Sequence, residues 1–330
     1  MRMIRTIAFA SLLSISASCT LPRQETAVLF RTEDMQPETR SLLTAPDIET
    51  RKTGITLAAY EAGSLVTSAY FTQQFDAMTL HLERGVTYAV YALVNMGDLR
   101  SSLPASEAGL AALAYRIPSY TEGSGSLAAR GLPMAGKLDY GGGTSVIPVE
   151  RLLAKVTVHL SCEWTGASIR EVHVGNLNRV LRPFGNGAAG QADDLLDGQE
   201  FQSGTAAASG TFVFYVPENL QGTLPGITDS EGKSPDRSGE VAARRDRLTY
   251  LETVVDASGQ YKGSITYRSY LGRDAVSNFD IRRNAHYVWT VRYLEDGLQL
   301  DDWKHGNDLM DPSGLDIDDE WDNGGESELD

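Results

Sequence analysis

The sequence predicts an all-β protein built from two β-sandwiches in series. Strand-like runs of β-branched and aromatic residues recur between turn-rich stretches, and glycine is abundant, with 32 of 330 residues. Long amphipathic helical patterns are absent. About 300 residues remain after an N-terminal leader, which is more than one ordinary hydrophobic core holds, so the length favours two domains.

The N-terminus has the three parts of a secretory signal. Arg2 and Arg5 supply positive charge, Ile7 to Ser18 is a largely apolar stretch, and small residues end it. The apolar stretch is too short for a bilayer, which takes roughly 20 apolar residues to span. We therefore predict a signal peptide over residues 1–18.

A cysteine, Cys19, follows the small residues directly. This arrangement resembles the bacterial lipobox, in which the new N-terminal cysteine carries lipid, although Ser16 stands where that pattern prefers leucine. We predict lipidation at Cys19 and a polar tether over residues 19–26. The alternative is an ordinary secretory signal that happens to end at a cysteine.

The N-terminal sandwich is predicted over residues 27–148. Its strand candidates combine β-branched or aromatic residues with turn residues at their ends; they are Ala27–Arg31, Gly54–Tyr60, Gly63–Thr72, Ala77–Leu82 and Val86–Asn95. Pro104 to Tyr115 carries Ala and Leu at helical spacing and predicts a short helix. Thr121 to Gly131 is a Gly/Ser-rich loop, and Gly141–Gly143 is a long turn or an interdomain linker.

The C-terminal sandwich is predicted over residues 149–300. Its strand candidates are Leu152–Cys162, Ile169–Val174, the run from Thr211, Leu248–Val255, Tyr261–Leu271 and Asn284–Leu294. Alternation along the first of these places Cys162 on the apolar face, so we interpret it as a small buried residue with no disulfide partner. Phe184–Gly210 and Thr223–Asp246 are interpreted as long polar loops.

The run Thr211-Phe-Val-Phe-Tyr-Val-Pro-Glu-Asn-Leu-Gln-Gly222 is the most informative stretch. Pro217 removes a backbone donor, so the strand ends there or lies at a sheet edge. Asn219 and Gly222 supply turn chemistry. The run resembles the Phe-Tyr-Val-Pro-Glu-Asn signature of the Bacteroidales fimbrillin-like lipoproteins, which are relatives of the type V pilins.

Other stretches resemble that family in the same order along the chain. They are Thr87–Asp98, Leu132–Gly136 with Ala135 for the usual serine, Val149–Val158, Ile265–Gly272 and Ile281–Val291. Each also has a plain structural interpretation as a strand or turn. The residues we single out as structural members of the signature are Pro133, Met134, Pro217, Glu218 and Asn219.

The resemblance implies two transthyretin-like β-sandwich domains in a protein exported as an outer-membrane lipoprotein and displayed at the cell surface or in a fimbrium. It implies assembly by donating a strand to a groove in the next subunit, with other fimbrial subunits as partners. In polymerising members an arginine-directed protease removes the N-terminal segment. The candidate processing residues here are Arg31, Arg40 and Arg51.

The C-terminus departs from what a stalk subunit needs. Residues 301–330 contain twelve Asp and Glu and one Lys, which predicts a solvated acidic tail. Apolar alternation is limited to Leu298 with Leu300 and Leu315 with Ile317. This favours an accessory, anchor or tip-like member. Asp316–Gly324 has carboxylates that would suit Ca²⁺, but it misses the EF-hand pattern.

Charge and motifs argue against several functions. The net charge is −15, and removing Arg2 and Arg5 with the leader changes −15 to −17, which disfavours nucleic acid. Gly232-Lys-Ser234 lacks the spacing of a phosphate loop from Gly226. His159 and His173, on neighbouring strand candidates, have no visible third ligand. We predict no catalytic residues, metal or cofactor.

Two other functions stay open. One is a monomeric surface lipoprotein that binds glycan or host protein through its loops. The other is a secreted hydrolase, since paired carboxylates for glycoside hydrolysis come from distant positions.

Overall fold

The computed structural model describes residues 25–34, 47–120, 124–143, 145–188, 194–196, 200–207, 209–228, 240–258, 262–274, 276–293, 304–305 and 310–318. Strands dominate these ranges and the α-helices are single turns, so the prediction of an all-β sandwich fold is confirmed. No helix within the described ranges is long and apolar enough to cross a membrane.

The first half of the chain forms a seven-stranded sheet. Its strands and helices are β1 (Glu25–Asp34), α1 (Asp47–Thr50), β2 (Ile55–Glu61), β3 (Ser64–Phe71), β4 (Met78–Glu83), β5 (Tyr88–Val94), β6 (Tyr115–Arg116), α2 (Leu127–Arg130), β7 (Met134–Tyr140) and β8 (Val146–Arg151). The strand order is β3-β2-β5-β7-β8-β1-β4, with β6 outside the sheet. Alternate residues of β4 share one buried core with those of β2 and β5, so the sheet folds over into a sandwich.

The second half forms two sheets that pack face to face. Its elements are β9 (Leu153–Cys162), β10 (Ala167–Gly175), β11 (Leu177–Asn178), β12 (Val180–Leu181), β13 (Leu195–Leu196), β14 (Glu200–Ala207), β15 (Ser209–Pro217), α3 (Glu240–Arg244), β16 (Tyr250–Ala257), β17 (Gly263–Tyr270), β18 (His286–Tyr293), β19 (Lys304–His305) and β20 (Met310–Asp318). The sheet orders are β15-β9-β18-β20 and β14-β10-β16-β17-β19. Tyr267 and Tyr293 meet across the two sheets, with ring centroids 4.8 Å apart.

The predicted burial of alternate residues of β9 is confirmed. Val156, Val158, Leu160 and Cys162 all lie in the core between the sheets, and Cys162 is a buried free thiol. Burial raises the pKa of that thiol, which keeps it in the unreactive protonated form.

The two halves are in contact. A single buried cluster runs from β2 and β5 into the second sandwich, where the rings of Tyr91 and Phe184 are 4.8 Å apart. β6 of the first half pairs with β12 of the second. The predicted domain division after residue 148 falls inside β8, three residues before that strand ends at Arg151.

The short helix predicted over Pro104–Tyr115 is confirmed only in part, since it is a 3₁₀ helix and covers half of the segment. The segment contains a short 3₁₀ turn, Glu107–Ala112, and then enters β6. Its start is held against β3, because the Leu65 amide donates to the Ala105 carbonyl (2.9 Å) and the Glu107 amide to the Gly63 carbonyl (2.8 Å). Tertiary pairing therefore overrides the helical spacing.

Three predicted loops contain regular structure, and the last of them, Thr223–Asp246, includes α3. Thr121–Gly131 includes α2, which the Ser126 hydroxyl caps by accepting from the Ala129 amide at 3.2 Å. Phe184–Gly210 includes β13 and β14, and β14 pairs with β10. Because β14 contains Gly and Ala at several positions, its sequence shows no clear alternation of apolar and polar residues. Its partner strand, β10, lies about thirty residues upstream.

The predicted solvated tail is wrong for residues 310–318, which form β20. This strand is antiparallel to β18, with Leu315 opposite Trp289 and Ile317 opposite Tyr287. The two alternate apolar residues of β20 are paired with two alternate aromatic residues of β18. The strand is recognised only from this pairing, because its own sequence has few apolar residues. The remainder of the candidate Ca²⁺ segment, residues 319–324, lies outside the described residues.

Candidate functional site

The first strand, β1, bridges two other strands. Its first half is antiparallel to β4, with Phe30 opposite Met78, and its second half is parallel to β8, with Thr32 opposite Ile147. We call the position between β4 and β8 the β1 slot. Without β1, both neighbouring strands would present unpaired backbone groups, which is the situation that invites another strand.

The β1 slot buries alternate side chains of its occupant. Phe30 has no exposed surface, Thr32 is buried, and Val28 packs on the same core, whereas Leu29 on the other face is 58% exposed. The ring of Phe30 meets Tyr140 edge to face, with centroids 5.2 Å apart. β1 is therefore held by backbone pairing and by side chains at every second position.

The slot is incompletely filled near the start of β1. A cleft of about 250 Å³ lies beside the inward positions of this strand, and its lining includes Thr26, Val28, Leu82, Val86 and Tyr140. Thr26 and Val28 are the residues of β1 that line it.

The short helix α1 holds the two halves together through Glu49, whose side chain is fully buried. Its Oε1 lies 3.1 Å from Lys155 Nζ of β9 and accepts a hydrogen bond from the Tyr215 hydroxyl of β15 at 2.7 Å. Burial and this hydrogen bond raise the pKa of Tyr215. The Glu49 carbonyl also accepts from Arg151 Nη2 at 3.3 Å. We call this arrangement the Glu49 clasp.

The signature turn follows β15, which lies at the edge of its sheet and ends at Pro217. The Glu218 carboxylate is buried and is paired with the Arg283 guanidinium through both oxygens. It also accepts from the Gly187 amide at 2.9 Å. Arg283 then donates to the carbonyls of residues 182, 183 and 185, each at 2.9 Å.

Asn219 completes the turn from a fully buried position. Its amide donates to the Ile281 carbonyl at 2.9 Å, and its Nδ2 donates to the Arg247 carbonyl at 2.9 Å and to Thr249 Oγ1 at 3.1 Å. An amide side chain can both donate and accept in this way, whereas Asp can only accept when ionised. Glu218 and Asn219 therefore connect their own turn to three other segments of the second sandwich, which are residues 182–187, 247–249 and 281–283.

Comparisons with known proteins place the same features in context. The family model "Domain of unknown function (DUF4906)" matches residues 214–291, from the signature strand to β18. No curated protein sequence matches the chain.

Solved structures match nearly the whole chain. A candidate cell adhesion protein from Bacteroides eggerthii has a TM-score of 0.56 at 13% identity, covering 90% of this chain and 95% of that one. The tip fimbrial protein Mfa3 from Porphyromonas gingivalis scores 0.51 at 13% identity, covering 90% and 99%. The fimbrilin FimA from Porphyromonas gingivalis scores 0.50 at 14% identity, covering 88% and 94%.

The chain has the fimbrillin-like fold. This confirms the resemblance that the sequence indicates, and it does so over both sandwiches and not over the signature turn alone. The identities are low enough that the likeness concerns the fold.

The candidate processing arginines of this fimbrillin-like chain lie in different settings. Arg31 is inside β1, where its amide donates to the Ser145 carbonyl at 3.2 Å. Arg51 follows α1, and its guanidinium donates to the Ala128 carbonyl at 2.5 Å. Arg40 lies outside the described residues, as does Cys19.

The other signature residues lie where the two halves meet. The Pro133 carbonyl accepts from the Leu152 amide at 2.9 Å, and Met134 opens β7 with its side chain fully buried. Gly136, which ends this stretch, cannot carry a side chain, because a Cβ there would lie 1.9 Å from the Pro148 carbonyl oxygen. β7 and β8 are in close backbone contact at this point.

The two histidines, which the sequence places on neighbouring strand candidates, do not meet. His159 is on β9 and His173 on β10, and these strands belong to different sheets. His173 Nε2 instead lies 3.1 Å from Glu252 Oε1, and Arg268 pairs with the same carboxylate. Burial raises the pKa of Glu252, but the hydrogen bonds from His173 and Arg268 outweigh it and hold this pKa below its usual range.

Metal chemistry has no support in the part of the chain that the structure describes. There, no three His, Cys, Asp or Glu side chains converge in an arrangement that could hold a metal ion. The residues that sequence reasoning missed are Glu49 and Arg283. Glu49 stands in no distinctive local pattern, and although Arg283 belongs to the stretch Ile281–Val291, its role depends on distant partners, as that of Glu49 does.

Proposed function

We propose that the chain is an accessory, anchor or tip-like fimbrial subunit that assembles by exchanging β1 for a strand of a neighbouring molecule, and that it carries out no catalysis. The observation that carries this proposal is the β1 slot, in which the first described strand covers an apolar core and connects β4 to β8. The fimbrillin-like fold supports it, since relatives of that fold include a tip fimbrial protein and a fimbrilin.

The contacts of the three arginines favour one processing position. Cleavage after Arg31 would divide β1, whose backbone is paired on both sides of that residue. Cleavage after Arg51 would remove Glu49 and leave Lys155 buried without its carboxylate. Cleavage after Arg40 would release the whole of β1 and leave α1 in place. We therefore assign processing to Arg40.

Assembly is tested in cells that make an epitope-tagged chain. Adding an arginine-specific protease should move the tag into a ladder of SDS-resistant species on unboiled gels, because a strand inserted into the slot takes over the backbone pairing of β1, with β4 along its first half and with β8 along its second. Arg40→Lys keeps the charge and removes the cleavage site, so it should stay at monomer mass. A wild-type chain that is trimmed and still migrates as a monomer contradicts assembly.

We also propose that Cys19 is lipidated and anchors the chain at the outer membrane, with display at the cell surface. The support is the lipobox-like sequence that ends at this cysteine. Cells fed labelled palmitate should label the native chain and leave Cys19→Ala unlabelled. Absence of label from the native chain contradicts the anchor, and protease accessibility on intact cells tests the display.

A monomeric surface lipoprotein that binds glycan or host protein is the second candidate. The observation that favours it is β20, the C-terminal strand, which pairs with β18 of its own molecule. A chain that keeps β20 on its own β18 does not donate that strand to a neighbour. Trimming without assembly, in the experiment on tagged cells, supports this candidate.

A further inference from the structure

The β1 slot has a space that β1 itself does not use. Thr26, Val28 and Phe30 are alternate residues of the strand, and their burial falls toward its start: Phe30 is fully buried, Val28 is half-buried and Thr26 is exposed. Beside the first two of these residues lies the cleft of about 250 Å³, whose lining combines the apolar Leu82, Val86 and Tyr140 with the charged Glu83 and Arg84 at its rim. Unfilled apolar surface of this kind weakens the hold on β1.

We propose that the β1 slot is built for a strand of a different polypeptide that carries a large apolar side chain at the register position of Val28, an aromatic one at Phe30 and a small one at Thr32. β1 is then a placeholder that binds less tightly than its replacement. This inference rests on the proposed strand exchange and specifies the partner in that exchange.

The pattern follows from the walls of the slot. At position 30 the core closes around the aromatic ring, which packs edge to face on Tyr140. At position 32 the side chain is buried opposite Ile147 of β8. Val28 lines the cleft. A phenylalanine at this position would bury roughly 50 Å² more apolar surface than valine does.

A second copy of this chain is a poor donor. Its C-terminal strand, β20, reads Met-Asp-Pro-Ser-Gly-Leu-Asp-Ile-Asp and contains no aromatic residue. Pro312 removes one backbone donor, and the apolar alternation is limited to Leu315 and Ile317. Two copies would also bring together strongly acidic molecules, each with a net charge of −15 over the full sequence.

The intact mature chain tests whether the cleft can be filled. Val28→Phe should raise the midpoint of thermal unfolding by about 3 °C, since the added ring buries apolar surface within the first sandwich. Leu29→Phe is the matched control, because it adds a ring on the exposed face of the same strand and should leave the midpoint unchanged. A lowered midpoint for Val28→Phe shows that the cleft is already occupied, and overturns the proposal.

Peptides test the partner. The full chain, trimmed with the arginine-specific protease, is titrated with labelled peptides of residues 25–34 and of residues 310–318. The Val28→Phe peptide should bind about tenfold more tightly than the native β1 peptide, and the Leu29→Phe peptide should bind like the native one. The peptide of residues 310–318 should bind at least tenfold more weakly.

The outcomes separate the two proposals. If the peptide of residues 310–318 binds as tightly as native β1, the occupant is a second copy and this inference fails. If Val28→Phe gives no gain over Leu29→Phe, the predicted side-chain pattern fails. If the native β1 peptide does not bind back, strand exchange itself fails, while the unfolding midpoints still decide whether the cleft can be filled.

Discussion

Arg283→Ala should lower the free energy of unfolding of the second sandwich by about 3–5 kcal/mol. The substitution leaves the Glu218 carboxylate buried without a counter-charge, because that side chain is only 8% exposed. It also removes the donor from three backbone carbonyls, those of residues 182, 183 and 185. Unsatisfied buried groups pay their full desolvation cost, so the loss exceeds that of an ordinary surface ion pair.

Urea unfolding of the mature chain measures this effect. Arg282→Ala is the matched control, since the neighbouring side chain is exposed and its removal should change the stability by less than about 0.5 kcal/mol. The double variant Arg283→Ala with Glu218→Ala should recover part of the loss, because no buried charge is then left unpaired. If Arg283→Ala is as stable as Arg282→Ala, the pair does not hold the turn.

The same substitution should loosen the contact between the sandwiches. Arg283 holds the loop that carries Phe184, and the ring of Phe184 packs on Tyr91 of β5. The turn that contains Glu218 therefore also supports the contact between the sandwiches. Glu218 positions Arg283, and Arg283 holds the loop that contacts the other half of the chain.

Glu49→Ala should lower the free energy of unfolding by about 3 kcal/mol. It leaves Lys155, 9% exposed, without its carboxylate, and the Tyr215 hydroxyl without its acceptor. Glu49 lies in the first half of the chain, whereas Lys155 and Tyr215 belong to the second sandwich. Removing the Glu49 side chain should therefore also weaken the contact between the two halves.

Urea unfolding and hydrogen exchange together measure the Glu49 clasp. Glu49→Ala should speed exchange of amides in β9 and β15, whereas Thr50→Ala, at an exposed position of the same helix, should change neither quantity. Glu49→Gln keeps an acceptor for Tyr215 but loses the charge, so its stability and its exchange rates should lie between those of Glu49→Ala and those of the unchanged chain. Unchanged exchange and stability in Glu49→Ala would show that the clasp does not join the halves.

Several elements could be predicted because their information is local. The run from Gly63 to Thr72 predicts β3, and alternation from Leu152 to Cys162 predicts β9, each within two residues at either end. In both, the residues that make a strand are contiguous and bounded by turn chemistry. Pro217 carries similar local information, since it ends β15 and that strand lies at an edge.

Other elements could not be predicted because their information lies in a distant partner. β14 is defined by its pairing with β10, and β20 by its pairing with β18. The segment around Glu107 has a helical spacing that its hydrogen bonds to β3 override. In each case the local sequence permits more than one structure, and backbone pairing selects one of them.

The sequence by itself determined the all-β class, the positions of most strands along the chain, the buried position of Cys162 and the limit that Pro217 sets on the signature strand, since each depends on side-chain alternation or on proline within a few residues. Only the tertiary structure decided that β1 bridges β4 and β8, that Glu49 and Arg283 connect distant segments, and that a cleft remains beside Val28. These features depend on which parts of the chain meet, and hydrogen bonds and packing between remote residues determine that.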